Sequence, residues 1–245
     1  MGFRRHLHIS YTDRPSRRRR GRGVAVGVAA FALVLGAGAG TAGAEDVPSS
    51  DTLEQALLEP QDLGPEFARG VNTSPDDSAD PVGCPALQNL QRAPSPAGQW
   101  PEVRLTTDFV FVQEQLIAGT PQALGTTHAR VRDALATCTS LSFPMPDTDP
   151  LTVAVTPIRF GGPESAAVRM DGEYMGVPIN GYLALEQLGS VELVYVYFQV
   201  LDDSSQPAAY AYSLAVDKIH RVVGPAAGPA QPLVTPEPGG LTVPA

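Results

Sequence analysis

Residues 179–201 read INGYLALEQLGSVELVYVYFQVL, and this stretch decides the fold. Two strand-like runs meet at Gly189-Ser190, a dipeptide with glycine first that suits a two-residue hairpin turn. With those two residues as the loop, Leu188 pairs with Val191 and Gln187 with Glu192. Continuing outward, Tyr182 lies opposite Tyr197 and Ala184 opposite Tyr195. Side chains alternate along a strand, so Leu183, Leu185, Val194, Val196 and Phe198 share one face, the natural helix-covered core. Tyr182, Tyr195, Tyr197 and Glu186 share the other, where rings and hydroxyls together suit a tyrosine-lined ligand groove. The alternative is that a second layer simply covers this face. The second run, Val191 to Leu201, is apolar on both faces apart from Glu192 and Gln199, which places it centrally in a sheet.

Working outward, Val103–Val112 (VRLTTDFVFV) alternates as a strand, Leu151–Phe160 reads as a strand that Pro157 pushes toward an edge, and Ser165–Met170 is its neighbour. Asp51-Thr-Leu-Glu54 has capping-box spacing and opens a brief helix to about Leu58, before Pro60. Thr120-Pro121 is a cap followed by proline at the first helical position, and Leu124, His128, Val131, Leu135 and Cys138 recur at spacings of three and four. A last helix begins near Ser204-Ser205-Gln206-Pro207 and carries Ala208, Ala211, Ala215, Ile219 and Val222 on one stripe. Lys218, His220 and Arg221 near its end, then Gly224-Pro225, match a helix C-terminus. The sum is an α+β fold: a single domain with an antiparallel sheet of about five strands and packed helices.

The ends of the chain differ in composition. Residues 1–44 hold eight arginines, then an uncharged apolar run from Gly23, and close on Ala42-Gly43-Ala44, the small residues a signal peptidase requires. Cleavage after Ala44 is expected, an uncleaved anchor being the alternative. Residues 45–223 form the extracytoplasmic domain, and 224–245 a disordered Pro/Gly-rich tail. Of 17 basic and 26 acidic residues, eight Arg and Asp13 lie in the first 44, so the remainder has nine bases and 25 acids, net −16. So acidic a surface repels phosphate backbones and anionic lipid heads, arguing against nucleic acid and against membrane insertion after signal cleavage. The two cysteines, Cys84 and Cys138, lie in the exported part and read as one disulfide.

Catalytic strings are missing: there is no Gly-x-Ser-x-Gly, no phosphate loop and no His-Glu-x-x-His. His128 on its apolar stripe reads as a structural histidine, and His220 as a complement to a helix C-terminus. The acidic loops around Asp76, Asp77 and Asp80 and at Asp147 and Asp149 lack the glycine and distant Glu of a calcium loop, so no metal and no cofactor are expected.

The order of elements resembles the extracytoplasmic sensor domain of actinobacterial serine/threonine kinases of the PknH type. The likeness is carried by Leu57-Leu58-Glu59-Pro60-Gln61-Asp62-Leu63-Gly64, the cysteine loop Gly83-Cys84-Pro85-Ala86-Leu87, the helix ending in Cys138, Glu164–Arg169, the hairpin and the closing helix. The kinase pattern has two disulfides, whereas two cysteines here allow one, so the loops are not equivalent throughout. The resemblance implies an exported, non-catalytic module of the cell envelope, binding an unknown small molecule or envelope component. The alternatives are a secreted envelope hydrolase using loop carboxylates, and an interaction protein whose Pro-rich tail is a spacer.

Overall fold

The computed structural model describes residues 47–70, 83–87, 100–143 and 150–234. The signal reading of 1–44, the acidic loops at 76–80 and 147–149 and the tail beyond 234 lie outside the described residues. In chain order the elements are α1 (Ser50–Ala56), α2 (Pro60–Leu63), β1 (Ala68–Arg69), β2 (Glu102–Thr106), β3 (Val110–Ala118), α3 (Pro121–Leu135) and β4 (Ser140–Phe143). They continue with β5 (Leu151–Ile158), β6 (Ala166–Tyr174), β7 (Val177–Leu188), β8 (Val191–Val200), α4 (Gln206–Val223) and a 3-10 turn, Gly224–Ala227. One antiparallel sheet has the order β1-β2-β3-β8-β7-β6-β5-β4.

The hairpin has the register its turn dictates. Leu188 pairs with Val191 and Tyr182 with Tyr197, while Gly189 takes φ 58, open to a residue without a Cβ. β8 is central, flanked by β3 and β7. Its two polar residues are buried with partners: Glu192 meets His128, and Gln199 donates to Asn180 Oδ1 at 3.1 Å and to the Ser204 carbonyl at 2.7 Å.

The sheet has eight strands rather than about five. Val103–Val112 is not one strand, because the chain reverses at Thr107: the Thr107 hydroxyl accepts from the backbone N–H groups of Phe109 (3.1 Å) and Val110 (3.0 Å). β3 then runs on through Gln113-Glu114-Gln115 to Ala118, pairing with β2 on one side and β8 on the other. β5 is not an edge strand, since β4 pairs along Leu151–Ala154. Only its second half is an edge, and Pro157 sits there, where its missing N–H costs no ladder bond. Helix α1 starts two residues earlier than its spacing suggests, with Ser49 rather than Asp51 as N-cap; the capping box is at Glu59 and Asp62 of α2.

Helices cover both faces of the sheet. On one, Leu124, Val131 and Leu135 of α3 pack on Leu183, Leu185, Val194, Val196 and Phe198. Thr120 caps α3 by accepting from Ala123 N–H at 3.3 Å, and Cys138 just beyond it is bonded to Cys84. On the other face, Leu53 and Ala56 of α1 and Ala208, Ala211, Ala215 and Ile219 of α4 pack on Leu193, Tyr195 and Tyr197. Lys218 of α4 ties α2 down through Asp62, 2.7 Å away. Residues 224–234 do not begin a loose tail: Ala227 is buried, Ser190 N–H donates to the Ala226 carbonyl at 2.7 Å, and Val234 bridges Gly161.

Candidate functional site

The hairpin brings Tyr182, Tyr195 and Tyr197 together on one face as the alternation requires, but the face is not an open groove. Helix α4 and Phe160 lie over it, leaving the three tyrosines 0%, 0% and 2% exposed. Phe160, two residues past the end of β5, stacks on Tyr182 with ring centres 5.6 Å apart and on Tyr195 at 6.3 Å. Tyr212 of α4 completes the cluster, 4.9 Å from Phe160 and edge-on to Tyr195 at 5.2 Å. Such arrangements add to the apolar area already buried. Tyr195 donates to the Ala208 carbonyl at 3.1 Å and Tyr197 to Gln199 Oε1 at 3.1 Å, whereas the buried Tyr182 hydroxyl has no partner among the described residues.

Against the outer side of this cluster lies a cleft of about 380 Å³, within the size range of small-molecule sites. Phe160 and Tyr212 line it from the cluster side, Ser204, Ser205 and Gln206 from the start of α4, and Leu233 and Val234 from the returning chain. Tyr210, 62% exposed, stands at its rim. None of these side chains is charged. The predicted tyrosines therefore do not line the cleft; they form the layer behind it.

The loop carrying Phe160, between β5 and β6, is fastened from both faces of the sheet. On the α4 face, Glu186 Oε2 accepts the Gly162 N–H at 3.0 Å and the Tyr212 hydroxyl. Close approach explains the glycines: a Cβ on Gly162 would strike the Glu186 carboxylate, and one on Gly161, at φ 92, would come within 2.6 Å of the Tyr212 oxygen. On the α3 face, His128 Nδ1 meets Glu192 Oε1 at 2.9 Å and Nε2 meets the Glu164 carbonyl at 2.9 Å. Burial pulls the imidazole down, but the hydrogen bond and charge of Glu192 and the Glu164 carbonyl outweigh it and hold it above its ordinary value. With both ring nitrogens engaged, His128 has no free position to act as a base. Burial first, and the neighbouring Glu186 second, raise the Tyr212 hydroxyl well above its ordinary value, so it stays a neutral donor.

Phe160, Tyr210 and Tyr212 were absent from the sequence reading as site residues. Tyr212 did carry a signal, since it falls four residues after Ala208 on the inward stripe of α4. Cys84 and Cys138 are joined, with Cα atoms 5.4 Å apart, and serve the far face of the sheet rather than the cleft. Among the described residues no group of three or more His, Cys, Asp or Glu side chains is placed to hold a metal.

These features define a class: a three-layer domain with one antiparallel sheet, helices on both faces and an uncharged cleft beside the last helix. The particular likeness is to the extracellular domain of PknH from Mycobacterium tuberculosis, with a TM-score of 0.54 and 14% identity over 72% of this chain and 98% of that one. The chain thus has the PknH-type sensor-domain fold. CalU16 from Micromonospora echinospora covers 65% of this chain and 87% of its own at 11% identity, but a TM-score of 0.24 carries no argument. No family model and no curated protein matches the sequence.

Proposed function

We propose that this protein is an exported, non-catalytic, sensor-like domain of the cell envelope, and that it binds a small molecule or envelope component in the cleft beside Phe160 and Tyr212. The observation that carries this reading is the cleft itself: an uncharged recess backed by a rigid aromatic cluster, in a fold shared with the extracellular domain of PknH. Tyr182, Tyr195 and Tyr197 contribute as the layer that fixes Phe160 and Tyr212. Export rests on the signal-like residues 1–44.

The test compares wild type with Ala209→Trp, which fills the cleft from the half-buried surface of α4. Native mass spectrometry of protein recovered from culture medium is expected to show a copurifying small molecule on wild type and none on the variant. An N-terminus at Glu45 on the recovered protein is expected as well. Identical spectra for the two proteins refute the cleft as the binding site, and turnover of envelope polymers by wild type refutes the non-catalytic reading.

A further inference from the structure

One end of the sheet holds three large apolar side chains out in solvent. Phe109 in the β2–β3 turn, Met175 in the β6–β7 turn and Leu201 just past β8 are 58%, 78% and 67% exposed. The strand order brings them together, because β3, β8 and β7 are neighbours. Val200 N–H donates to the Phe109 carbonyl at 3.0 Å and Leu201 N–H to the Pro178 carbonyl at 3.2 Å, so Phe109 and Leu201 sit on adjacent strands, about 5 Å apart in backbone. Met175 stands at the tip of the β6–β7 hairpin, three residues before Pro178 and roughly 10 Å further out along the strand. Apolar residues exposed singly are ordinary, but three on neighbouring strand ends make a patch.

The backbone presents two of these side chains against its own preference. Among the described residues, Met175 and Leu201 are the non-glycine positions in the left-handed region, at φ 52 and φ 68. That conformation strains a large side chain, and glycine or asparagine takes it up more easily. Neither side chain joins the core, so packing does not offset the strain, and strain of this kind gathers at functional sites. Charge then narrows what fits. Asp108, Glu173, Asp202 and Asp203, all exposed, each lie within two residues of one of the three. Of the bases nearby, Arg169 is paired with Asp171 at 2.8 Å and Arg104 with Glu102 at 2.7 Å, and Arg69 stands on the edge strand β1, two strands from β3. A second copy set against this end doubles the carboxylates, and an anionic bilayer repels them.

We infer that this end of the sheet docks a protein segment whose apolar side chains are flanked by Arg or Lys. Phe109, Met175 and Leu201 make the apolar contacts, and the four carboxylates form a rim that meets the partner's bases. None of the three apolar residues lines the cleft, so this surface is separate from the ligand site.

The probe is a synthetic peptide of Leu and Arg at helical spacing, about 18 residues or five turns long, compared with one that has Glu in place of each Arg. Binding to the exported protein is followed by the amide chemical shifts of Phe109, Gly176 and Leu201. The Leu/Arg peptide is expected to move these amides and the Leu/Glu peptide to leave them unmoved. Phe109→Ser, Met175→Asn and Leu201→Asn together are expected to weaken binding about tenfold or more, with a melting temperature no lower than wild type because two of the changes relieve left-handed strain. Asp202→Asn with Asp203→Asn is expected to weaken binding several-fold and to flatten its salt dependence. Equal affinity of wild type and the triple variant overturns the inference, and so does equal binding of the two peptides. Phosphatidylglycerol vesicles moving these amides where the peptide does not would make this a lipid-facing end and overturn it. Shifts that follow protein concentration alone would assign the end to a second copy and overturn it as well. If no probe moves these amides, the inference falls.

Discussion

Glu114 provides the sharpest test of how the interior is arranged. It lies in the middle of β3, paired on both sides, fully buried, with Oε2 accepting the Leu58 N–H at 2.7 Å and Oε1 without a partner among the described residues. Burial raises its carboxyl from an ordinary 4.5 to about 8, against the weaker opposing pull of the Leu58 N–H and Lys218. At neutral pH the group is therefore the uncharged acid. Its folded pKa lies above its unfolded one, so the native state holds the extra proton, and stability falls as pH rises between those values. At about 1.4 kcal/mol per pH unit, the loss is roughly 3 kcal/mol by pH 7 and about 5 kcal/mol once pH exceeds 8. Glu114→Gln keeps the shape and an acceptor for Leu58 but does not titrate. Urea unfolding followed by the fluorescence of the single tryptophan, Trp100, is the assay. Wild type and variant are expected to agree within about 1 kcal/mol at pH 4, with the variant ahead by roughly 3 kcal/mol at pH 7 and about 5 at pH 9. A difference that does not change between pH 4 and 9 refutes the reasoning.

Three further outcomes can be checked on the same protein. Cys84→Ser removes a bond that closes a loop with a sequence separation of 54, and is expected to cost about 4 kcal/mol on the chain-entropy model, read as a lower melting temperature that reductant no longer changes. Met175 occupies the first position of the two-residue β6–β7 turn at φ 52, a conformation that strains a large side chain, so Met175→Asn is expected to stabilise by about 1 kcal/mol in the same urea assay. Tyr195→Phe loses its bond to the Ala208 carbonyl and is expected to cost about 1 kcal/mol, whereas Tyr182→Phe removes an unpartnered hydroxyl and is expected to be neutral or stabilising; the reverse order contradicts the hydrogen-bond assignment.

The legible parts of the fold were those fixed by local chemistry. Glycine at 189 set the turn, the turn set the register, and alternation then assigned every residue of β7 and β8 to a face. Thr120-Pro121 fixed the start of α3 in the same way. The strand read from the sequence stops at Val112, whereas β3 runs on through Gln113, Glu114 and Gln115, and the buried Glu114 is partnered by Leu58, 56 residues away. The β2–β3 turn was hidden because Thr107 makes it with a hydroxyl rather than a glycine. The site was less legible for a similar reason. Alternation collected the three tyrosines, but it does not say what lies on top of them. Phe160 and Tyr212 meet only when α4 folds back over the sheet, and the Gly161 and Gly162 that allow this contact resemble any loop glycines until Glu186 is in place.

The strand order also governs how the domain is assembled. β8, which joins the β1–β3 meander to the β4–β7 meander, is the last strand among the described residues, and its bonds to β3 reach from Val191 back to Ala118 and from Gln199 back to Val110. A chain emerging N-terminus first therefore carries two half-sheets with open edges, β3 on one and β7 on the other, until residue 200 is free. Neither half can bury its inner edge alone, and such pairing across long sequence distances is slow. The last-formed strand therefore makes completion of the sheet all-or-none: the two half-sheets become one only when the apolar β8 enters between β3 and β7.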